Sequence, residues 1–374
     1  MNLPFLSPSR RLRRTPFSEG VERAGVKAYT VYNHMLLPTV FRSVQEDCDH
    51  LKSAVQVWDV ACERQVEIRG PDAARLVQML TPRDLRKMAA GQCYYVPMVD
   101  GAGGMLNDPV AVRLDDDRFW VSIADSDLLF WIKGIAHGMS LNVQVDEPDV
   151  SPLAVQGPRA DDLMARVFGD AVRQVRFFRF GWFDFHGTAM AIARSGYSKQ
   201  GGFEIYVDGT AHGMPLWNTL MEAGADLDVR AGCPNLIERV EGGLLSYGND
   251  MTRANNPYEC GLGKFCTAQT VTGSVGGEAL AQVALTGPSQ QIRPIAIAGA
   301  AVPPCMEAWH LTDAGGNTVG QVTSAVWSHG CQTNVAIGMV QKAHWEPGTQ
   351  LTVHTQHGAR PAEVRSEFFN TPKV

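Results

Sequence analysis

The sequence predicts an α+β protein of more than one domain that ends in a β-rich unit. Three observations carry this. The chain has 374 residues, and one domain usually holds roughly 100–200. Strand-like alternation and helix-like apolar stripes interleave through its first two thirds. From about Ala281 the pattern changes to short β-like runs separated by Gly, Pro and Asn.

Leu37–Lys52 reads as a helix with Pro38 in its first turn. Gln65–Gly70 alternates polar and apolar residues, as a half-buried strand does, and Pro71–Leu80 follows as a short helix. Asp108–Leu114 and Arg118–Ala124 are strands around Asp115-Asp-Asp117, and Asp125–His137 is a helix. A second cycle starts at Val155-Gln-Gly-Pro158, with a helix over Arg159–Phe168 and strands at Val175–Phe185, Ala189–Arg194 and Phe203–Val207. Pro234 opens a helix whose Leu236, Ile237, Val240, Leu244 and Leu245 form one apolar stripe. Gly315-Gly-Asn317 is a hairpin turn, and Leu351–His354 is a strand that turns near Gly358. Gly-Pro at 70–71, 157–158 and 287–288 each follows a strand-like run and hints at a repeated start. A boundary is expected near 275–285.

Composition excludes several function classes. Apolar residues are 45% and charged residues 19%, so the chain is not disordered. No window approaches the eighteen or so apolar residues of a membrane helix. Thirty-three basic against 39 acidic residues give a net charge of −6, which argues against a nucleic-acid partner. None of the eight cysteines falls in a C-x-x-C pair, and free thiols in a reducing cytoplasm are expected. The N-terminus, with four arginines and no acid before Glu19, reads as a basic arm on an acidic body or as a transit peptide; the arm is preferred. No nucleotide fingerprint and no G-x-S-x-G elbow occurs. His354 and His357 lack a nearby third ligand, so no metal is expected.

Three segments stand out. Gly101–Pro109 puts Asp108 at a turn-to-strand junction, where a carboxylate commonly caps a turn. Arg194–Tyr206 is a glycine-bearing loop that enters a strand with Glu204 and Tyr206 on one face. Asn235–Asp250 carries Glu238 and Glu241 at i, i+3, the ordinary spacing of surface helix charge.

Together the three segments resemble the folate-dependent aminomethyltransferase family, to which the glycine cleavage T-protein belongs. The matching stretches are Gly103–Asp108, Ser195-Gly-Tyr197, Phe203-Glu-Ile205, Tyr247-Gly-Asn249 and Gly320–Ser324. The chain departs from glycine cleavage proteins at Asp59-Val-Ala-Cys-Glu63, where those carry Asp-Val-Ser-His-Met, and at Asn235, where they carry arginine; Arg239 matches a second family arginine. Ser9–Phe17, Tyr32–Pro38, Val57–Val60, Glu63–Ile68, Ser122–Asp127, Ser198–Gly202 and Cys233–Arg239 are similar to the dimethylsulfoniopropionate demethylase branch of that family. That match includes the N-terminal arm and so weighs further against a transit peptide. Gly276-Gly-Glu278 and Ser328-His-Gly-Cys331 depart from the family pattern.

The resemblance implies three domains around a central folate channel: 1–150, with later segments returning to it, 151–278, and a barrel-like 279–374. It implies a methyltransferase that moves a sulfonium methyl to a ring nitrogen of tetrahydrofolate. The alternatives are another N-, O- or S-methyl donor, or a T-protein role. Glu204 is expected to accept hydrogen bonds from the pterin, with Tyr197 and Tyr206 packed on its rings and Ser122 and Arg239 adding polar contacts. Asp108 is expected at the reacting pair, either stabilising charge or accepting a proton. Tyr95, Phe178, Trp182 and Phe17 are candidates to hold the sulfonium by cation–π attraction. The expected partners are a small-molecule methyl donor and tetrahydrofolate, with no nucleic acid and no membrane; a homodimer is left open.

Overall fold

The computed structural model describes residues 9–267 and 273–369. The first eight residues of the basic arm lie outside them. The described part of the arm lies on the body, with Arg13 paired to Glu147 at 2.7 Å.

The chain opens with α1 (Ser18–Arg23) and a hairpin of β1 (Ala28–Tyr32) and β2 (Met35–Val40). Next come α2 (Val44–Ser53), β3 (Val55–Asp59), β4 (Gln65–Arg69) and α3 (Ala73–Met79). Then follow β5 (Gln92–Tyr95), β6 (Met98–Val99), β7 (Met105–Asn107), β8 (Val110–Asp115) and β9 (Arg118–Ser122). Helix α4 (Leu128–Gly138) and β10 (Gln144–Asp146) close that stretch. The middle of the chain holds β11 (Val150–Gln156), α5 (Ala160–Phe168), β12 (Phe180–Phe185), β13 (Thr188–Ala193) and β14 (Gly202–Asp208). It continues with α6 (Gly213–Ala223), β15 (Val229–Gly232) and α7 (Leu236–Gly242). Helix α8 (Gly277–Thr286) precedes β16 (Gln290–Ile297), β17 (Trp309–Thr312), β18 (Thr318–Ser328), β19 (Thr333–Gln341), β20 (Gln350–Thr355) and β21 (Gly358–Val364).

These strands form a five-stranded sheet ordered β10-β4-β9-β8-β5, a six-stranded sheet ordered β12-β13-β14-β11-β3-β15, and a closed barrel of β16 to β21. The two open sheets pack face to face. Cys93, Val112 and Trp120 of the first meet Phe180, Ala191, Ala193 and Tyr206 of the second. Helices cover the outer faces. Alternate residues of β3, β11 and β14 point outward into α5 and α6, while those of β4 and β9 pack on α3 and α4. Helices and the facing sheet thus cover much of both faces of each sheet.

Several expectations are corrected. Pro38 lies in β2, not in a helix; it can lie in a two-stranded hairpin because its missing N–H leaves no long ladder broken. The helix starts later, at α2, where the Ser43 hydroxyl accepts the Glu46 N–H at 3.1 Å. Residues 175–179 are not strand, and Phe178 holds φ +55°. Helix α7 is shorter than expected. Asn235 caps its start by accepting the Ile237 N–H at 2.9 Å, and Gly243 at φ +67° ends it before Leu244. Gly287-Pro288 follows helix α8 rather than a strand.

The boundaries also shift. Strand β3 lies inside 1–150, yet it sits between β11 and β15 of the other sheet, because its wholly buried run Val-Gln-Val-Trp-Asp is suited to a central strand. Residue 278 falls inside α8, whose Leu280 packs on Val99, Met105 and Met251, so the barrel begins only at Gln290.

Candidate active site

Asp108 lies between β7 and β8, where the chain enters the five-stranded sheet. The preceding residue fixes its backbone. Buried Asn107 accepts the Ala124 N–H at 2.9 Å and donates to the Ser126 hydroxyl at 2.7 Å. Tyr95 ends β5 opposite Val110. Its phenol donates to Asp108 Oδ2 at 2.6 Å. Burial pushes the Asp108 carboxyl up to about 7; the Tyr95 hydrogen bond pulls it back, and the Asp250 charge adds to the rise. A carboxyl poised there can hold or release a proton at neutral pH.

Glu204 sits on β14 between Ala154 of β11 and Ala193 of β13. Two methyl side chains beside it leave its carboxylate uncovered. Its Oε2 accepts the Ser195 hydroxyl. Burial raises its pKa, and Ser195 opposes the rise. The loop between β13 and β14 is held by Gln156, whose Nε2 donates to the Ser195 carbonyl at 3.1 Å while its Oε1 accepts from Ser198 at 2.8 Å. Gly202 has φ +148°, and a Cβ there would collide with the Val155 carbonyl. The glycines therefore let this loop lie directly on β11.

Two residues of this site were not foreseen as site residues: Glu63 and Tyr32. Glu63 lies on the turn from β3 to β4. Its N–H donates to the Val60 carbonyl at 2.9 Å, and its carbonyl accepts Gln65 Nε2 at 2.8 Å. Burial and the charges of Glu204 and Asp108 hold its carboxyl well above the usual range. Tyr32 ends β1 at a two-residue turn whose Asn33 and His34 have φ +49° and +64°. Asn33 clamps that turn by donating to the carbonyls of Cys62 and Ala124 at 3.0 and 3.1 Å. Burial raises the Tyr32 phenol, and the Glu63 and Asp108 charges add to it. No one-dimensional signal links positions 32, 63, 108 and 204. Among the described residues no group of His, Cys, Asp or Glu is arranged to hold a metal ion.

The remaining predicted residues divide. The Tyr197 phenol lies 2.9 and 2.7 Å from the Leu244 and Leu245 carbonyls, and the Asp108 and Glu63 charges raise it further after burial. Tyr206 is buried under Trp120 with ring centroids 5.6 Å apart. Ser122 accepts Gln65 Nε2 at 2.9 Å and bonds the Tyr206 phenol. Both are buried, Tyr206 at 1% exposure and Ser122 at 7%. Phe17 is fully buried against Trp217 in the core under α6. Its expected contact with a donor is corrected, because a ring with no accessible surface cannot meet a ligand. Phe178 and Trp182 pack on Phe177 and Phe180 at the β12 edge.

Arg239 is also committed elsewhere. It donates to Asp250 Oδ2 at 2.9 Å and to the Ser324 hydroxyl at 2.7 Å, which ties α7 to the barrel. The i, i+3 acids are not surface charge. Glu238 accepts the Lys199 N–H at 2.7 Å, and Glu241 pairs with Lys52 at 2.7 Å and with Ser328 at 2.5 Å. A separate cleft of about 360 Å³ lies between the 249–255 loop and the barrel, lined by Asn249, Asp250, His310 and Gln321 among others. It contains none of Glu63, Asp108 and Glu204.

Residues 17–270 match the GCVT N-terminal domain family, and residues 292–369 match the glycine cleavage T-protein C-terminal barrel domain. The chain is 64% identical to a dimethylsulfoniopropionate demethylase of Ruegeria pomeroyi, over 97% of this chain and 98% of that one. It is 28% identical to an aminomethyltransferase of Symbiobacterium thermophilum, over 96% and 98%. The crystal structure of the glycine cleavage system aminomethyltransferase T of Bartonella henselae shares the fold at 23% identity, with TM-score 0.85 over 96% and 98% of the two chains. The two matched domains span nearly all of the two-sheet body and the barrel, and on that ground the chain belongs to the glycine cleavage T-protein family of aminomethyltransferases.

Proposed function

We propose that this protein is a tetrahydrofolate-dependent methyltransferase that demethylates dimethylsulfoniopropionate. The observation that carries it is the 64% identity, along almost the full length of both chains, to an enzyme of that name. The site chemistry agrees. Moving the methyl group breaks a carbon–sulfur bond whose electron pair stays on sulfur, leaving neutral methylthiopropionate thioether. A ring nitrogen of tetrahydrofolate forms the new bond and gives up one proton. The leaving group needs no acid, so the task is alignment plus removal of that proton. Asp108, with a carboxyl near neutrality and one phenol partner, is suited to accept it. Glu204 is suited to the amino and ring N–H edge of a pterin, because among the described residues one of its carboxylate oxygens accepts no bond. Tyr197 supports the loop that brings Glu204 there.

The test is direct. Purified protein, tetrahydrofolate and dimethylsulfoniopropionate are mixed without oxygen, and methylthiopropionate and methyl-tetrahydrofolate are followed by chromatography. Equal amounts of both products are expected. No product at high enzyme concentration, or product only with another methyl donor, would overturn the assignment. A cytoplasmic setting is part of the same reading, supported by eight cysteines that are all free thiols. Among the described residues no helix is long and apolar enough to cross a membrane.

A further inference from the structure

We infer that Glu63 makes the site selective for a positively charged methyl donor. This role rests on the demethylase reading above, which supplies the sulfonium, and adds to it the side chain that tells sulfonium from a neutral group of the same shape.

Four observations lead there. First, the Glu63 carboxylate accepts no hydrogen bond and joins no ion pair among the described residues, whereas Glu67, Glu147, Glu241 and Asp250 each hold a basic side chain. Second, its direction is set by a rigid turn. The Glu63 N–H and C=O are both bonded, and the neighbouring Cys62 carbonyl is clamped by Asn33. An unpartnered buried acid holds its proton more tightly than usual and gives it up to solvent when a cation binds beside it. Third, the ionisable groups that sense Glu63 are Tyr32, Cys62, Tyr197 and Tyr206, and the charges that act on it are those of Glu204 and Asp108; none of these groups is basic. The nearest arginines by sequence or contact are engaged, Arg64 with Glu147 and Arg239 with Asp250. Fourth, Tyr32 and Tyr197 both feel the Glu63 charge and both are half-buried, and ring faces also attract cations. Acids without a counter-ion, with aromatic side chains that feel their charge, complement a ligand that carries its own positive charge.

A sulfonium bound beside Glu63 answers that charge, and a carbon isostere does not. The propionate end of the donor has to point away from the three carboxyls, which fixes the donor's direction. Glu63 would thus discriminate by charge, while Asp108 acts on the proton released in transfer.

The probes are dimethylsulfoniopropionate and 4-methylpentanoate, in which carbon replaces the sulfonium. Binding of each to wild type, Glu63→Gln and Glu63→Asp is measured by calorimetry, with melting curves on all three proteins. Loss of Glu63's ability to ionise is expected to weaken dimethylsulfoniopropionate by about ten- to a hundredfold, as one close charge–charge attraction is removed. The isostere should hold within about twofold. Glu63→Asp should keep part of the preference. No protein bond is lost in Glu63→Gln, so its melting temperature should equal or exceed that of wild type. If the Gln variant keeps the wild-type preference, or loses both ligands equally while folded, the role is overturned. Should that happen while wild type still turns over dimethylsulfoniopropionate, the demethylase reading survives without it. If wild type turns over none, both fall.

Discussion

The junction of α7 with the barrel and the candidate site are both rich in buried acids, and they treat them oppositely. At the junction every acid is answered. Asp250 holds Arg239 and the hydroxyls of Thr323 and Ser324, and Glu241 holds Lys52 and Ser328. At the candidate site, among the described residues, Asp108 has one phenol, Glu204 one hydroxyl and the Glu63 carboxyl no partner. The paired acids fasten elements together. Unpaired ones resist ionising, and such groups gather where chemistry is done. Acid content alone therefore says little; the partner decides whether a carboxylate is a rivet or a reagent.

The largest effect should come from breaking the junction. Asp250→Ala leaves Arg239 buried without its counter-charge and should cost about 3–5 kcal/mol of stability, read by urea denaturation. A loss under about 1 kcal/mol would mean that the junction acids are no more structural than the site acids.

Asp108→Asn should do the reverse, lowering turnover by about a hundred- to a thousandfold, the scale of removing one preorganised electrostatic group, while leaving the denaturation midpoint no lower than in wild type. An equal fall in stability would erase the contrast.

The same variant gives a pH signature. In the unfolded chain the Asp108 carboxyl ionises near its ordinary value, whereas in the fold it keeps its proton to about 7. Between these limits the native state binds more protons, so wild-type stability should fall as pH rises, by at most about 1.4 kcal/mol per unit from this group. The stability curve of Asp108→Asn, measured against wild type from pH 4 to 8, should lack that fall. The acid limb of wild-type kcat/KM should rise through pH values near 7.

The smallest effect expected is from Glu204→Gln, which keeps the shape and one acceptor. Tetrahydrofolate affinity should drop about tenfold, the weaker end for a charged hydrogen bond, with methyl-donor affinity unchanged in titration calorimetry. Unchanged folate affinity would remove Glu204 from the pterin edge.

Much of the architecture was legible in one dimension. The strand–Gly-Pro–helix starts at β4–α3 and β11–α5 appear where the alternation predicted them. The hairpin at Gly315-Gly-Asn317 joins β17 to β18, because Asp313 accepts the Gly315 and Asn317 N–H groups locally. Asp108 and Glu204 were singled out by the family resemblance, since a glycine-bearing turn beside an acid is by itself ordinary. Helix α6 was not anticipated, although Gly209 and Gly224 flank it and Pro215 stands in its first turn. Phe17 was misassigned because an aromatic residue in a basic arm looks the same in sequence whether it packs on Trp217 or on a ligand.

The sequence by itself determined the alternation of strands and helices, the β-rich end, the family and two of the three carboxyls. These depend on neighbours within a few residues or on motifs read in order. Only the tertiary structure decided that Glu238, Glu241 and Asp250 are fasteners, that Tyr206 and Ser122 are buried, and that Glu63 belongs with Asp108 and Glu204. The reason is physical: an acid's charge state depends on which groups surround it in space, and here those groups come from strands far apart in the chain.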